Sequence, residues 1–202
     1  MAYGNGYFVT VNASGDVKYR ATDPTGAFTT NTQGSAGFLA TAYGNGYWVA
    51  VGSSGALYYR ATDPTGVWTS NTQGAFNLQS VVYANGYWVA VGASGAVRYR
   101  ATDPTGAWTS NTQGSQTFQS VVHDGVNWIA VGNSGTVYRT TDPTTAWTSD
   151  PQGSGNFQAV GAGNGYHVAV GQAGDLYYIG DLEGRQTNAP ETDRMVTSPM
   201  RW

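Results

Sequence analysis

Sixteen residues, YRATDPTGAWTSNTQG from 99 to 114, recur with small changes at 19 to 34 and 59 to 74, and a fourth, worn copy, YRTTDPTTAWTSDPQG, fills 138 to 153. A chain written this way must build the same local structure several times and pack each copy against the next, which limits it to repeat architectures. The tripeptide NGY keeps the same clock, starting at Asn5, Asn45, Asn85 and Asn164, with GVNW at 125 to 128 as a degraded copy. The period is 40 residues, once 39. Trp48, Trp68, Trp88, Trp108, Trp128 and Trp147 follow it, with Phe8 and Phe28 in the two preceding slots.

One unit reads as four strands. LQSVVY (78 to 83), GYWVAVG (86 to 92), AVRYRAT (96 to 102) and AWTSNT (107 to 112) are separated by turn residues, of which GASG and DPTG are the clearest. Asp, Pro and Gly at the first, second and fourth places of DPTG are what a type I turn favours, because Asp accepts from the turn amides and Pro presets φ. The 29 Gly, 14 Tyr and 7 Trp, against one Lys and two Glu, also leave few helix formers. Tyr87, Val89 and Val91 alternate with Trp88, Ala90 and Gly92 without either row being polar, so both sheet faces are expected to be covered. The expected fold is all-β, a β-propeller of about five four-stranded blades at 3–42, 43–82, 83–122, 123–161 and a partial 162–180. The repeats thus span 1–180, followed by a charged C-terminal extension at 181–202. The repeat frame starts at the second strand and stops at the third, so blade one is expected to lack its first strand and blade five its last.

The spacing of Asp63 to Trp68, Asp103 to Trp108 and Asp142 to Trp147, with Asp23 to Phe28 as a softer copy, resembles the Asp-box or BNR repeats of sialidase-like propellers. Ala101 stands where that pattern has Ser or Thr, Gly106 is one place late, and Thr140 alone fills the first slot. The frame GNGYWVAVGSSG is also similar to repeats of bacterial and bacteriophage propeller proteins, many of them virion components. The resemblance implies that Asp23, Asp63, Asp103 and Asp142 are structural and lie away from any catalytic centre. Arg20, Arg60, Arg100 and Arg139, each three residues before an Asp, are expected to brace the same hairpin.

Chemistry finds little purchase in the repeats. A sialidase resemblance implies an arginine clamp and a Tyr/Glu pair, yet residues 3 to 180 contain no Glu and four of their five arginines occupy one repeated position, Arg98 being the exception. His123 and His167 stand in the slots of Tyr83 and Trp88 and read as altered repeat positions. No catalytic residue, metal ligand or cofactor is expected, since one carboxylate per turn falls short of a calcium site. Were activity present, Asp16, Asp124, Asp150 and Asp175 would be the carboxylates outside the repeated turn. The net charge of −3 offers no basic surface to nucleic acid or to an anionic membrane, and the N-terminus has neither a basic start nor an apolar run, so no signal peptide is expected.

Variation concentrates after NTQG, in the crossings between blades. Phe76, Asn77, Gln116, Thr117 and Asn156 are the candidate ligand-binding residues there, because loops on a rigid scaffold carry recognition. Drift in a tolerant loop is the alternative. The stripe of Trp48, Trp88 and Trp128 suits either a core or sugar stacking. In the extension, Arg194, Met200, Arg201 and Trp202 are the candidate attachment residues, of types enriched at interface hot spots. The function expected is a non-catalytic structural or surface module, a bacteriophage virion protein in capsid decoration or tail, whose partners are other virion proteins or identical subunits. The alternative is a carbohydrate-binding lectin that meets cell-surface glycan.

Overall fold

In the computed structural model, residues 1–163, 166–172 and 176–179 are described. Four four-stranded antiparallel sheets and one three-stranded sheet follow one another along the chain, an arrangement consistent with propeller blades. Blade one comprises β1 (Ala2–Gly4), β2 (Tyr7–Val11), β3 (Asp16–Ala21) and β4 (Thr29–Thr32). Blade two comprises β5 (Phe38–Gly44), β6 (Tyr47–Gly52), β7 (Leu57–Ala61) and β8 (Thr69–Ser70). Blade three has β9 (Leu78–Ala84), β10 (Tyr87–Gly92), β11 (Val97–Ala101) and β12 (Thr109–Ser110). Blade four has β13 (Phe118–His123), β14 (Trp128–Gly132), β15 (Val137–Thr140) and β16 (Thr148–Ser149). Blade five has β17 (Phe157–Gly163), β18 (Tyr166–Gly171) and β19 (Leu176–Ile179).

Turn chemistry sets these hairpins. Asn45 and Gly46 have φ of 45° and 80°, the double left-handed geometry of a two-residue type I′ turn, which explains the recurring Asn-Gly. The same turn corrects the expectation for blade one: Asn5-Gly6 folds Tyr3 and Gly4 back onto Phe8 and Tyr7, so a short first strand is present. The position of a fourth strand in blade five falls outside the described residues. Gly92 ends β10 at a bulge against β9, where a Cβ would collide with the carbonyl oxygen of Asn77; Gly52 and Gly132 meet Gly37 and Thr117 in the same way.

Both faces of the inner blades are buried, as the unpolarised alternation requires. Trp88 and Ala90 of β10 pack back onto Val49, Val51 and Leu57 of blade two. Val89, Val91 and Val97 pack forward onto Phe118, Trp128 and Ala130 of blade four. From blade one to blade four, each interface therefore joins a Val- and Leu-rich forward face, edged by tyrosines, to a backward face built around Trp and a Phe or Leu, while blade five offers Phe157 and Ala169. Trp48, Trp88 and Trp128 are wholly buried, which places that stripe in the core and out of reach of a sugar.

Candidate functional site

The DPTG turns begin from one local interaction. Asp63 Oδ1 accepts from the Thr65 amide at 2.9 Å and from the Thr65 hydroxyl, and Asp23 and Asp103 repeat the pattern. The Thr hydroxyl first, and then its amide, holds each of these three carboxyls below the ordinary aspartate value. Arg60 lies across the turn: Nε donates to Asp63 O at 2.8 Å and a terminal nitrogen to Val67 O at 3.1 Å. Its guanidinium also stands 3.4 Å from the Asp63 carboxylate. Because the guanidinium rests on Gly66, a Cβ there would lie 2.6 Å from Cζ, which accounts for a glycine at this late turn position. Arg20 with Gly26 and Arg100 with Gly106 do the same.

The fourth repeat departs from this brace, and the cause is its one missing residue. Tyr138 pairs with Ser149 as Arg98 pairs with Ser110, so Arg139 occupies the slot of Tyr99 and Thr140 that of Arg100. A one-residue slip moves a side chain to the other face of a strand. Arg139 accordingly pairs with Asp150 at 3.4 Å and leaves Asp142, against the expectation. The Thr140 hydroxyl bonds Asp142 O at 2.9 Å instead, and Thr145 stands where the glycine is no longer required.

The rest of the repeated motif reaches into the next blade. Asn71 Nδ2 donates to Pro104 O at 3.0 Å and Gly106 O at 2.8 Å, while Gln73 Oε1 accepts from the Trp108 amide at 3.2 Å. Asn31 and Gln33 hold Pro64, Gly66 and Trp68 in the same manner, as Asn111 and Gln113 hold Pro143, Thr145 and Trp147. Trp108 Nε1 adds a bond of 3.2 Å to Pro104 O. From the opposite end of the hairpin, Asn5 Nδ2 reaches Thr62 O at 2.6 Å and Asn45 reaches Thr102 O at 2.7 Å. Thr62 and Thr102, both at φ 66°, and Thr22 of blade one at 70°, adopt a conformation that a β-branched residue disfavours, each with its amide bonded to the glycine carbonyl of its own blade's first turn. The repeated letters are joints between blades, a role that sequence reading left unassigned to Asn and Gln.

The crossing residues divide into two groups. Asn77 Oδ1 accepts from the Ser54 amide and Asn156 Oδ1 from the Ser134 amide, both at 2.9 Å, so these two fasten the turn of the preceding blade. The carbonyl of Gln116 accepts from Gly95 at 2.7 Å and that of Thr117 from Asn133 at 3.0 Å. Phe76, 45% exposed, and Gln116 present their side chains to solvent, and Thr117 is half-buried. Arg98 fills the slot that Tyr58 and Tyr138 hold in the flanking blades, and donates to Ser110 Oγ at 2.5 Å; burial lowers its pKa. Leu78 replaces there the phenylalanine that Tyr58 and Tyr138 meet edge to face.

Asp124 and His167 form a polar contact between blades four and five. Asp124 occupies the place of Gly44 and Ala84, while Ala162 and His167 replace the tyrosine and tryptophan that pack there in earlier blades. The carboxylate fills the space these rings vacate, lying 2.7 Å from His167 Nε2, with the amides of Val126 and Asn127 donating to it at 2.7 and 2.5 Å. Burial pushes the Asp124 carboxyl up, but the two amides and His167 outweigh it and bring the pKa down to about 2. His123 keeps the tyrosine slot, its ring 4.7 Å from that of Trp128, and burial lowers its pKa.

The remaining carboxylates stay apart. Asp16 bonds Asn12 and Thr32 in blade one and Asp150 meets Arg139 in blade four, while Asp175 lies outside the described residues. Among the described residues, no three metal-ligating side chains gather. Among the described residues, one shallow recess lies beside Tyr7, Tyr19 and Arg20, and another between Ser35 to Gly37 and Tyr58. Arg194, Met200, Arg201 and Trp202 lie outside the described residues. Neither a protein-family model nor a curated protein sequence matches the chain.

Proposed function

We propose that the protein is a non-catalytic structural or surface module of a larger assembly, a bacteriophage virion protein serving in capsid decoration or in the tail and attached through residues 181–202. The observation that carries this reading is the use made of the repeated polar side chains. Asn31, Asn71, Asn111, Gln33, Gln73 and Gln113, with the arginines that brace the turns, are engaged in holding turns and blades together, which is the work of a scaffold. The Asp-to-Trp spacing in the third hairpin of each repeat supports reading these turns as Asp-box-like. The virion context rests on the resemblance of the GNGYWVAVG frame to phage propeller repeats. In particles purified from the source, the chain should co-sediment with genome-filled capsids; recovery in the soluble fraction alone would rule out a virion role. Deleting 181–202 should leave a folded β protein that no longer joins the particle.

A carbohydrate-binding lectin is the second reading, and the recess beside Tyr58 at the blade crossings favours it, since a tyrosine ring among serines suits a sugar face. Glycan-array binding that Tyr58→Ala abolishes would move this reading ahead.

A further inference from the structure

We infer that the forward face of blade five receives the backward face of blade one from a second copy of this chain, so that copies join head to tail. Such joining rests on the assembly reading above, and equivalent positions in different blades point to it. Val51, Val91 and Val131 are 0% exposed, whereas Val170 in the same slot is 41% exposed. Leu57, Val97 and Val137 are at most 1% exposed, whereas Leu176 is 69% exposed. Val168, half-buried, continues the patch along β18. These side chains hold the slots of the interior core and, among the described residues, have no blade packed over them, whereas apolar groups are rarely gathered at a surface without a partner.

At the other end, blade one presents the complementary face. Tyr3 is 60% exposed, and Phe8 and Phe28 are half-buried, although Trp48 and Trp68 in the next blade are buried at 0% and 3%. Tyr3 stacks at 4.6 Å on Phe8 as Tyr43 stacks at 4.8 Å on Trp48, so the aromatic pair that inserts between blades is already assembled. Thr10 and Lys18, in the slots of Ala50 and Tyr58, make this face more polar than its interior counterparts, which suits an interface that must also be soluble when open. Aliphatic forward face against a backward face built around an aromatic pair is the interface that the chain builds between successive blades from one to four. A contact of this kind is heterologous, and it continues until the rotation closes or the ends are blocked.

The test uses the intact chain. Light scattering after size exclusion should give a mass that rises with concentration. Leu176→Asp blocks one end and Tyr3→Asp the other; both positions are exposed, so circular dichroism should report folded protein. Each variant alone should fail to grow into chains of copies, and an equimolar mixture should form a one-to-one dimer and nothing larger. A wild-type chain that stays monomeric at every concentration, or a Leu176→Asp variant that assembles like wild type, would overturn the inference. A Leu176→Cys thiol, unique in a chain without cysteine, that is protected from labelling in a monomer would also overturn it, because the chain's own residues would then cover the face. These measurements on purified protein stand apart from co-sedimentation with particles, so either proposal can fail while the other holds.

Discussion

Asn71 holds two carbonyls of the next blade with one amide group, and removing it strips both of a donor. Asn71→Ala should cost about 1 to 2 kcal/mol in urea unfolding, the range for two modest hydrogen bonds, whereas Ser70→Ala on the exposed edge should be nearly silent. Asp124 predicts a pH dependence. Its pKa is depressed from 3.8 to about 2, so it stabilises the fold fully above about pH 4, and this contribution is lost as pH falls towards 2. Acid titration followed by near-ultraviolet dichroism should show Asp124→Asn losing less stability than wild type across that window; parallel curves would show the carboxylate to be uncoupled from folding. At this scale the sequence was legible where a residue acts on its own turn, as Asp63 does on Thr65. Asn71 and Gln73 were not, because their partners lie 33 to 35 residues ahead and polarity alone does not give direction. Asp124 had a signal, three slots changed together across adjacent repeats, but its meaning needed the space that the missing rings leave.

Hairpins show how far a one-residue change propagates. In blade four it turns Arg139 away from the Asp142 turn and is matched by Thr140 and Thr145; in blades one to three the left-handed Thr22, Thr62 and Thr102 remain. Thr102→Gly relieves that conformation, and thermal unfolding should show a neutral effect or a gain of up to about 1 kcal/mol. Trp108→Ala, removing a side chain buried between blades two and three, should cost roughly 3 to 5 kcal/mol. An unchanged melting temperature would contradict its place in the core. The first three strands of each unit were readable from alternation and turn residues. The fourth was overestimated at 107 to 112: it is two residues long there, Thr109–Ser110, and in blades two and four, while blade one keeps four, Thr29–Thr32.

As a whole the protein is a row of units, each stabilised by its neighbours, and such arrays lose their ends first. Hydrogen exchange should therefore be faster in Tyr166–Gly171 of β18 than in the equivalent Tyr87–Gly92 of β10, whose blade is covered on both sides. Equal protection would require a cover over blade five in solution. The joints made by the repeated Asn and Gln at or just past the fourth strand of blades one to three also point one way, from an earlier blade to the turn of the later one. A copied unit inserted between two others would bring the Asn and Gln that its successor's turn needs and the turn that its predecessor's Asn and Gln need, with no new contact to invent. Tandem duplication of a single coding segment is thus a silent event for the fold, so a lineage built on this plan can lengthen or shorten by whole units, and the near-identity of the second and third repeats is the trace that such an event leaves.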